Sequence, residues 1–374
     1  MLRASDIHID PTQAGLVVRL RIDGMLQDKF SFNKKIHPEI ISRIKIMSGL
    51  RTDEHQAAQD GRFRTVLQHD VPIDVRVSIT PTYYGENAVL RLLADIAEEF
   101  TLDTLGCSPE NKKKILDAIK RPHGMILATG PTGSGKTTTL YTLLKMLNQK
   151  TVSIVTIEDP VEYAVSGITQ IQINAHSGLT FASGLRSILR QDPNIIMVGE
   201  IRDAETASIA VNTALTGHLI LSTLHTSDAA TTLPRLLDMG IDSYLVASTV
   251  NLVIGQRLVR KICERCREGY TLSVGERESL KSVLLPGQLD ESQTFYRGRG
   301  CEACEGTGYA GRIGIHEVMV IDQEVREAIL KKASAVNIKE IAKKNGMTPL
   351  FADGCMKAEE GKTTIEEVLR TMRE

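Results

Sequence analysis

The feature that most constrains this chain of 374 residues is the sequence GPTGSGKT at residues 130–137. It fits the pattern G-x-x-x-x-G-K-[ST] at every fixed position, and an apolar run at residues 125–129 precedes it. Glycines let backbone N–H groups turn inward around phosphates, and a helix that begins near Lys136 would point its positive end at the anion. We therefore predict a strand, a phosphate-binding loop and a helix in succession; the alternative is a glycine-rich turn that arose by chance.

The residues of this loop have different expected roles. Lys136 is expected to reach the β- and γ-phosphates of ATP, and the Thr137 hydroxyl is expected to coordinate Mg²⁺. The rest of the loop and the first helical turn would surround the phosphates, with Gly130, Pro131, Thr132, Gly133, Ser134, Gly135 and Thr138. The sequence thus predicts a site for ATP with Mg²⁺.

Two acidic stretches follow apolar runs that indicate neighbouring strands. Glu200 comes just after the run at 195–198 and is the candidate for polarising the attacking water, unless it only caps the next helix. Glu158 and Asp159 end the run that starts at residue 152. Because no aspartate precedes Glu200, one or both of these carboxylates could hold Mg²⁺ through water. A solvated turn is the alternative for this pair.

Two histidines flank the apolar run at residues 219–224. His218 and His225 are seven residues apart, so an ideal strand would place them on opposite faces and they should not both line one pocket. The spacing argues against a zinc pair. One histidine could sense the γ-phosphate or contact a neighbouring subunit, and the alternative for each is a histidine satisfied in the core.

Six cysteines are present, and four of them form two C-x-x-C pairs: Cys263, Cys266, Cys301 and Cys304. Such pairs predict a tetrahedral Zn²⁺ site, and four thiolates leave no position for water, so the metal would be structural. The alternative is two cysteine pairs without a metal. Cys107 and Cys355 stand alone and are expected to be small, buried and inert.

The patterns change along the chain. Residues 1–97 are typical of a small α+β domain, and residues 98–107 are expected to be a linker. Over 108–374 strands alternate with helices, which predicts an α/β domain with a mostly parallel sheet. The cysteine module at 263–304 interrupts this domain, and residues 321–374 are expected to be helical.

The composition argues against several classes of protein. The formal net charge is -1, and 4% of the residues are aromatic with no tryptophan. These values argue against a zinc protein that binds nucleic acid through phosphate contacts or base stacking. No apolar run approaches the roughly 18 residues of a membrane-spanning helix, and no signal sequence is evident. We expect a soluble, cytoplasmic protein with no direct nucleic-acid partner and no membrane insertion.

Motifs across nearly the whole chain resemble the type II secretion and type IV pilus assembly ATPases. They are RASDIHID (3–10), RIDG (21–24), GPTGSGKTTTLY (130–141), TIEDPVEY (156–163), LRQDPNIIMVGEIRD (189–203), TGHLILSTLHT (216–226) and GYAGRIGIHEV (308–318). The resemblance implies a RecA-like P-loop NTPase motor domain after the family's PAS-like second N-terminal domain. It also implies that the family's first N-terminal domain, which commonly docks the ring to an inner-membrane platform protein, is absent here.

The resemblance assigns roles to particular acidic residues. Glu200 corresponds to the catalytic glutamate of a modified Walker B motif, in which Gly199 also fits. The family's Asp box corresponds to Glu158, Asp159 and Glu162.

The resemblance also assigns histidines and arginines. His218 and His225 correspond to the His box. Arg76 and Arg91 correspond to N-terminal arginines that reach toward the phosphates and supply charge stabilisation. Arg76 could instead form a surface ion pair with Asp74 or with another neighbour.

The function implied is a Mg²⁺-dependent ATPase, a homo-hexamer with ATP bound between subunits and between domains, that drives pilin or pseudopilin assembly. The cysteine module points to the assembly or export branch, since retraction and conjugation relatives usually lack it. Such a motor would lie in the cytoplasm, peripheral to the inner membrane through partners. The alternatives are the ATPase of a competence or DNA-uptake pilus, and a nucleotide-gated scaffold without useful turnover.

Overall fold

The structure, a computed structural model, describes residues 4–67, 71–94, 100–174, 177–271, 275 and 293–373. The chain divides into two compact units, Met1–Glu99 and Phe100–Glu374. Residues 98 and 99 of the predicted linker, and 272–274 and 276–292 of the cysteine module, lie outside the described residues. No helix in the described part of the chain is long and apolar enough to cross a lipid bilayer.

The N-terminal unit is a six-stranded antiparallel sheet with one α-helix, α1 (His37–Met47). The sheet has the order β3-β2-β1-β6-β5-β4. Its strands are β1 (Ala4–Pro11), β2 (Leu16–Ile22), β3 (Met25–Phe32), β4 (Gln59–Leu67), β5 (Val71–Thr82) and β6 (Gly85–Ala94). Ile41 and Ile44 of α1 lie in one core with Val75 and Val77 of β5. The alternation along β5 therefore buries one face of the sheet, and the α+β prediction is confirmed.

The second unit is built on a seven-stranded sheet of order β15-β12-β7-β11-β10-β8-β9. Every neighbouring pair is parallel except β12 with β15. Its strands are β7 (Gly124–Thr129), β8 (Ile154–Glu158), β9 (Thr169–Gln172), β10 (Ile195–Val198), β11 (Leu219–Leu224), β12 (Val250–Ile262) and β15 (Tyr309–Val320). A separate antiparallel pair, β13 (Arg267–Thr271) and β14 (Thr294–Gly298), lies in the cysteine module.

Helices pack against both faces of the large sheet. Met125 and Leu127 of β7 lie in one hydrophobic core, whereas Ile126 and Ala128 lie in another. The helices are α2 (Pro109–Ile119), α3 (Lys136–Leu147), α4 (Phe181–Ile188), α5 (Ala204–Leu215), α6 (Thr232–Asp238), α7 (Ser243–Thr249), α8 (Gln323–Leu330), α9 (Ala335–Lys344), α10 (Leu350–Glu359) and α11 (Ile365–Arg373). Strands covered on both faces are apolar along their whole length, which explains the continuous apolar runs and confirms the α/β prediction.

The parallel strands bring several predicted site residues to one edge of the sheet. The phosphate loop follows β7, Glu158 ends β8, Glu200 comes just after β10, and His225 follows β11. Because these four strands are parallel, their carboxyl ends meet at the same edge. This edge is where a ligand of an open α/β sheet is expected to bind.

Candidate functional site

The phosphate loop joins β7 to α3, and its shape depends on glycine. Gly130, Gly133 and Gly135 have φ values of +145°, +79° and +87°. A Cβ atom added to Gly130 would lie 2.4 Å from the backbone oxygen of Gln256, so a larger residue cannot occupy this position without displacing β12. Helix α3 begins at Lys136, directly after the loop, so that the N–H groups of its first turn face the loop.

The hydroxyl groups in and after the loop differ in exposure. Thr132 and Thr137 are exposed, Thr138 is half-buried and Ser134 is buried. Pro131 is exposed with Thr132. Thr137, whose hydroxyl we expect to coordinate Mg²⁺, is therefore an exposed residue at the start of α3.

Lys136 is buried against its own loop. Its Nζ donates hydrogen bonds to the backbone oxygens of Gly130 at 2.8 Å and Pro131 at 3.0 Å. Burial lowers the pKa of Lys136 to about 8, with the charge of Glu200 raising it and that of Arg257 lowering it. The loop that carries Lys136 follows β7 and Glu200 follows β10, so both residues lie at the same edge of the sheet.

The backbone around Glu200 is fixed by the strands on both sides. The Gly199 N–H donates to the Ile157 oxygen at 2.8 Å, and the Ile201 N–H donates to the Thr223 oxygen at 3.0 Å. A Cβ atom at Gly199 would lie 3.3 Å from the Ile157 oxygen. A carboxylate side chain at position 199 would be crowded against β8, which gives a physical reason for glycine there.

The Glu200 side chain lies between two basic groups. Its Oε2 is 2.5 Å from Arg202 Nε and 3.4 Å from His225 Nε2. Helix α5 is capped by Asp203 instead, which accepts a hydrogen bond from the Thr206 N–H at 2.8 Å. The alternative that Glu200 caps this helix is therefore wrong, and the carboxylate remains at the sheet edge near Lys136.

Glu158 has a different environment. Its carboxylate accepts hydrogen bonds from the hydroxyls of Tyr141 and Thr156 and from Gln170 Nε2, at 3.3 Å for the last. The residue is 3% exposed, and burial raises its pKa although these hydrogen bonds lower it. The expectation that Glu158 can hold Mg²⁺ is not supported, because its oxygens are already bonded within the core.

The other acidic residues of this segment are more accessible. Asp159 is exposed, and Glu162 is half-buried. The charge of Asp159 raises the pKa of Arg202, behind the larger effect of the hydrogen bond to Glu200. Arg202 therefore interacts electrostatically with both Asp159, which follows β8, and Glu200, which follows β10.

The two histidines lie at opposite ends of β11. His225 follows the strand and reaches Glu200, whereas His218 precedes it and its Nδ1 is 3.2 Å from the Thr213 oxygen. The loop that carries His225 is held by Thr226, whose N–H donates to Thr129 Oγ1 at 3.2 Å. The fold of this unit therefore does not bring His218 to the phosphate loop, and its expected catalytic role has no geometric support within one subunit.

The two predicted arginines lie in the N-terminal unit. Arg76 of β5 is directly opposite Arg91 of β6, and Arg91 Nε is 3.0 Å from Asp6 Oδ1. Asp74, the alternative partner of Arg76, lies 3.9 Å from Arg64. Like charges directly opposite one another on a sheet reduce stability, so this pair of arginines is an unusual feature of the sheet.

The four paired cysteines form one cluster, with their Sγ atoms all within 4.8 Å of one another. The Sγ–Sγ distance is 3.8 Å for Cys263–Cys301 and Cys266–Cys304, and 3.7 Å for Cys301–Cys304. Four sulfurs at about 2.3 Å from one Zn²⁺ would be about 3.8 Å apart, whereas disulfide sulfurs are about 2.05 Å apart. The four thiols are free, and their arrangement fits a tetrahedral metal.

The backbone near the cysteine cluster favours thiolate. Burial favours the neutral Cys304 thiol, but hydrogen bonds from the N–H groups of Cys301 and Gly308, both at 3.2 Å, lower its pKa. Metal binding requires deprotonated sulfur, so these donors assist it.

Several residues near the loop were not singled out from the sequence. Arg202 contacts Glu200, and Arg257 influences Lys136. Gln256 contacts the phosphate loop, and Glu317 Oε1 accepts a hydrogen bond at 2.6 Å from the backbone of the segment after His225. The sequence signal for Gln256 is only a polar residue in the run VNLVIGQRLV, whereas Glu317 lies within the motif GYAGRIGIHEV.

Comparisons with known proteins agree with this geometry. Residues 1–370 match the family described as Type II/IV secretion system protein. The type II secretion system protein HxcR of Pseudomonas aeruginosa is 47% identical over 371 residues, covering 99% of this chain and 74% of that protein. The type IV pilus assembly ATPase PilB of Thermus thermophilus is 47% identical over 366 residues, covering 98% of this chain and 41% of that protein.

A solved structure supports the fold. The ATPase DotB of Legionella pneumophila has a TM-score of 0.71 at 24% identity, covering 100% of this chain and 92% of that one. The predicted resemblance is thus confirmed in sequence over nearly the whole chain and in fold, although the chain spans less than half of the Thermus protein. The curated relatives are named as components of secretion and pilus machines. The chain therefore belongs to the family of type II/IV secretion system proteins.

Proposed function

We propose that this chain is a Mg²⁺-dependent ATPase motor that powers assembly of a type IV pilus or of a type II secretion pseudopilus. The observation that carries the proposal is that Lys136, in the loop after β7, and Glu200, just after β10, lie at the same edge of the parallel sheet, where β11 alone separates the two strands. A cation for phosphates beside a carboxylate for water is the minimum set of groups for hydrolysis of a phosphoanhydride.

In this mechanism Lys136 leaves the loop oxygens that it now contacts and donates to the β- and γ-phosphates. Glu200 accepts a hydrogen bond from the attacking water and orients it, with Arg202 and His225 beside its carboxylate. Mg²⁺, held beside the exposed Thr137 hydroxyl, would neutralise phosphate charge. Asp159 is the acidic residue of its segment best exposed to contribute to that metal site through water.

The proposal also includes roles for two arginines and for the four paired cysteines. Arg76 and Arg91 are the residues that the family resemblance assigns to phosphate charge, and their position opposite one another on a sheet fits anion binding. We propose that the four cysteines bind structural Zn²⁺, since their sulfur spacing matches a tetrahedral site and leaves no ligand position for water.

The family resemblance and the names of the curated relatives support an assembly. The curated proteins similar to this chain are named for type II secretion and type IV pilus assembly, and we propose that this chain acts as a homo-hexamer in such a machine. Its partner would be the machine's inner-membrane platform protein, so that the motor lies on the cytoplasmic side of the inner membrane through that contact.

The experiment that tests the proposal is release of phosphate from Mg·ATP by the wild-type chain and by Lys136→Ala. We expect the wild type to release phosphate and Lys136→Ala to lose the activity, because a neutral side chain cannot hold the phosphates. Circular dichroism of both proteins checks that the variant is folded. Tight binding of ATP without release by the wild type would instead indicate the nucleotide-gated scaffold.

A further inference from the structure

Gln256 is a buried polar side chain of β12 that follows the apolar residues 252–255, and the mechanism above does not use it. It is 2% exposed. Its Nε2 donates a hydrogen bond to the Ser134 backbone oxygen at 2.7 Å, and its Oε1 accepts one from Thr139 Oγ1 at 2.9 Å. Burying an amide is unfavourable unless both ends are hydrogen-bonded. Both partners of Gln256 lie in the phosphate loop or the helix that follows it.

The backbone of Gln256 is itself held on both sides. Within β12, the preceding residue Gly255 pairs with Thr129, the last residue of β7, and Gln256 pairs with His316 of β15. The Gln256 amide therefore projects from the interior of a sheet and not from a flexible loop. A group on such a rigid element can fix the geometry of a neighbouring loop accurately.

The bond to Ser134 determines the direction of one peptide group of the loop. In a planar trans peptide the C=O and the following N–H point in opposite directions. The Ser134 oxygen accepts its hydrogen bond from Gln256 in the interior, so the Gly135 N–H points away from Gln256. Gly135 has a φ of +87°, and a Cβ atom there would lie 3.2 Å from Gln256 Nε2, so the amide also packs against this residue.

We propose that Gln256 is a positioning residue that orients the Gly135 N–H for hydrogen bonding to the phosphates of ATP. This inference rests on the proposed function, because it concerns the same nucleotide site. Gln256 would not touch the nucleotide; it acts through the peptide between Ser134 and Gly135. Hydrogen bonds from a preorganised backbone N–H to an anion are strong because no group has to reorient on binding.

A merely structural role would have a different signature. Loss of a structural hydrogen bond lowers stability with and without nucleotide and leaves the affinity of the folded protein unchanged. The chain offers a matched control in Thr139, whose side chain bonds to the other end of the same amide but not to the peptide between Ser134 and Gly135. Thr139→Val removes one hydrogen bond of Gln256 and keeps the bond to Ser134.

The test compares the wild-type chain, Gln256→Met and Thr139→Val. The dissociation constant of Mg²⁺ with a non-hydrolysable ATP analogue is measured by calorimetry, and Tm is measured without nucleotide. We expect Gln256→Met to weaken binding by about tenfold, as for loss of one charge-assisted hydrogen bond. Thr139→Val should weaken binding by less than about threefold, even if the two variants lose a similar amount of Tm.

Equal affinity of Gln256→Met and the wild type would overturn the proposal, as would equal weakening by the two variants. If Gln256→Met does not fold, Gln256→Leu replaces it, because this side chain also lacks the donor for Ser134 and adds no charge near the phosphates. The same tenfold loss is then expected, and wild-type affinity contradicts the inference. Failure of the wild-type chain itself to bind the analogue would count against the proposed function instead.

Discussion

Glu158 and Glu200 lie at the carboxyl ends of two neighbouring strands, β8 and β10, yet their surroundings differ in kind. Both are nearly buried, with 3% and 9% exposure. Glu158 is bonded to neutral hydroxyl and amide groups inside the core, whereas Glu200 lies beside the ionisable groups of Arg202 and His225. A carboxylate after an apolar strand is therefore not sufficient to identify a catalytic base.

The difference lies in what each carboxylate can still do. The hydrogen-bond capacity of Glu158 is used to join α3 to β8 and β9, so moving it would leave buried donors unpaired. Arg202, the main partner of Glu200, has a side chain that is 64% exposed. Ion pairs with such exposed groups are weak and exchange readily with water. Glu200 can therefore accept a water molecule at little cost, and Glu158 cannot.

The largest expected effect comes from Glu200→Gln. The amide cannot accept a proton, so we expect phosphate release to fall by about 10²–10⁴-fold, the usual contribution of a positioned acid–base group. Binding of Mg·ATP should remain, because Lys136 and the loop are unchanged. Phosphate release under saturating nucleotide measures the effect.

The matched control is Glu205→Gln. Glu205 lies five residues further on, is exposed and pairs with Arg186 at 2.6 Å. We expect its phosphate release to equal that of the wild type within about twofold, since surface pairs contribute little. Retention of most activity by Glu200→Gln would show that another group orients the water.

A second, smaller effect is on the free energy of unfolding, which substitution of Glu158 should lower more than substitution of Glu200. Glu158→Ala leaves the buried Tyr141 hydroxyl without its acceptor, and we expect the free energy of unfolding to fall by about 2 kcal/mol. Glu200→Gln should change it by less than about 1 kcal/mol, because its main partner is exposed. Denaturant unfolding of the two variants and the wild type, without nucleotide, measures both values. Equal losses in the two variants would mean that the two carboxylates are equivalent structural groups.

The sequence could predict the parts of the fold that depend on local pattern. The strand expected from the apolar run at 195–198 has those bounds, and the strand expected from residue 152 begins at Ile154. Strand β12 was not predicted, because an apolar run without clear periodicity fits a buried helix or a strand. Local pattern therefore locates elements better where flanking glycine or capping residues mark their ends.

The orientation of site residues depends on distant partners and could not be predicted. Glu158 is turned inward by Tyr141 and Gln170, which are 17 and 12 residues away. The spacing of His218 and His225 correctly suggested that they do not share a pocket, but the structural reason differs from the one that the spacing implied. They lie at opposite ends of β11 and not on opposite faces of it, because each is just outside the strand.

The smallest expected effect is on the pH dependence of nucleotide affinity, which depends on the charge of Lys136 and should respond differently to the two glutamates. Burial lowers the pKa of Lys136 to about 8, and the charge of Glu200 raises it from a still lower value. Phosphates bind the protonated form, so the affinity for Mg²⁺ with a non-hydrolysable ATP analogue should fall as the pH rises through about 8. Above that pH the fall approaches about tenfold per pH unit, until the pKa of the bound state is reached.

The two glutamates should differ in how they move this profile. Glu200→Gln removes a negative charge near Lys136, so the protonated form is less favoured and the fall should begin at a lower pH. Glu158→Gln should leave the midpoint unchanged, since Glu158 is not among the charges that act on Lys136. Affinities measured between about pH 6.5 and 9.5 at constant ionic strength decide between these outcomes.

The control is Lys136→Arg, which stays charged over this range and should abolish the fall in affinity. If the fall persists in this variant, another group titrates. A midpoint shifted equally by both glutamine variants would mean that the Glu158 carboxylate acts on the phosphate site as strongly as Glu200, and the contrast between the two strand ends would be lost.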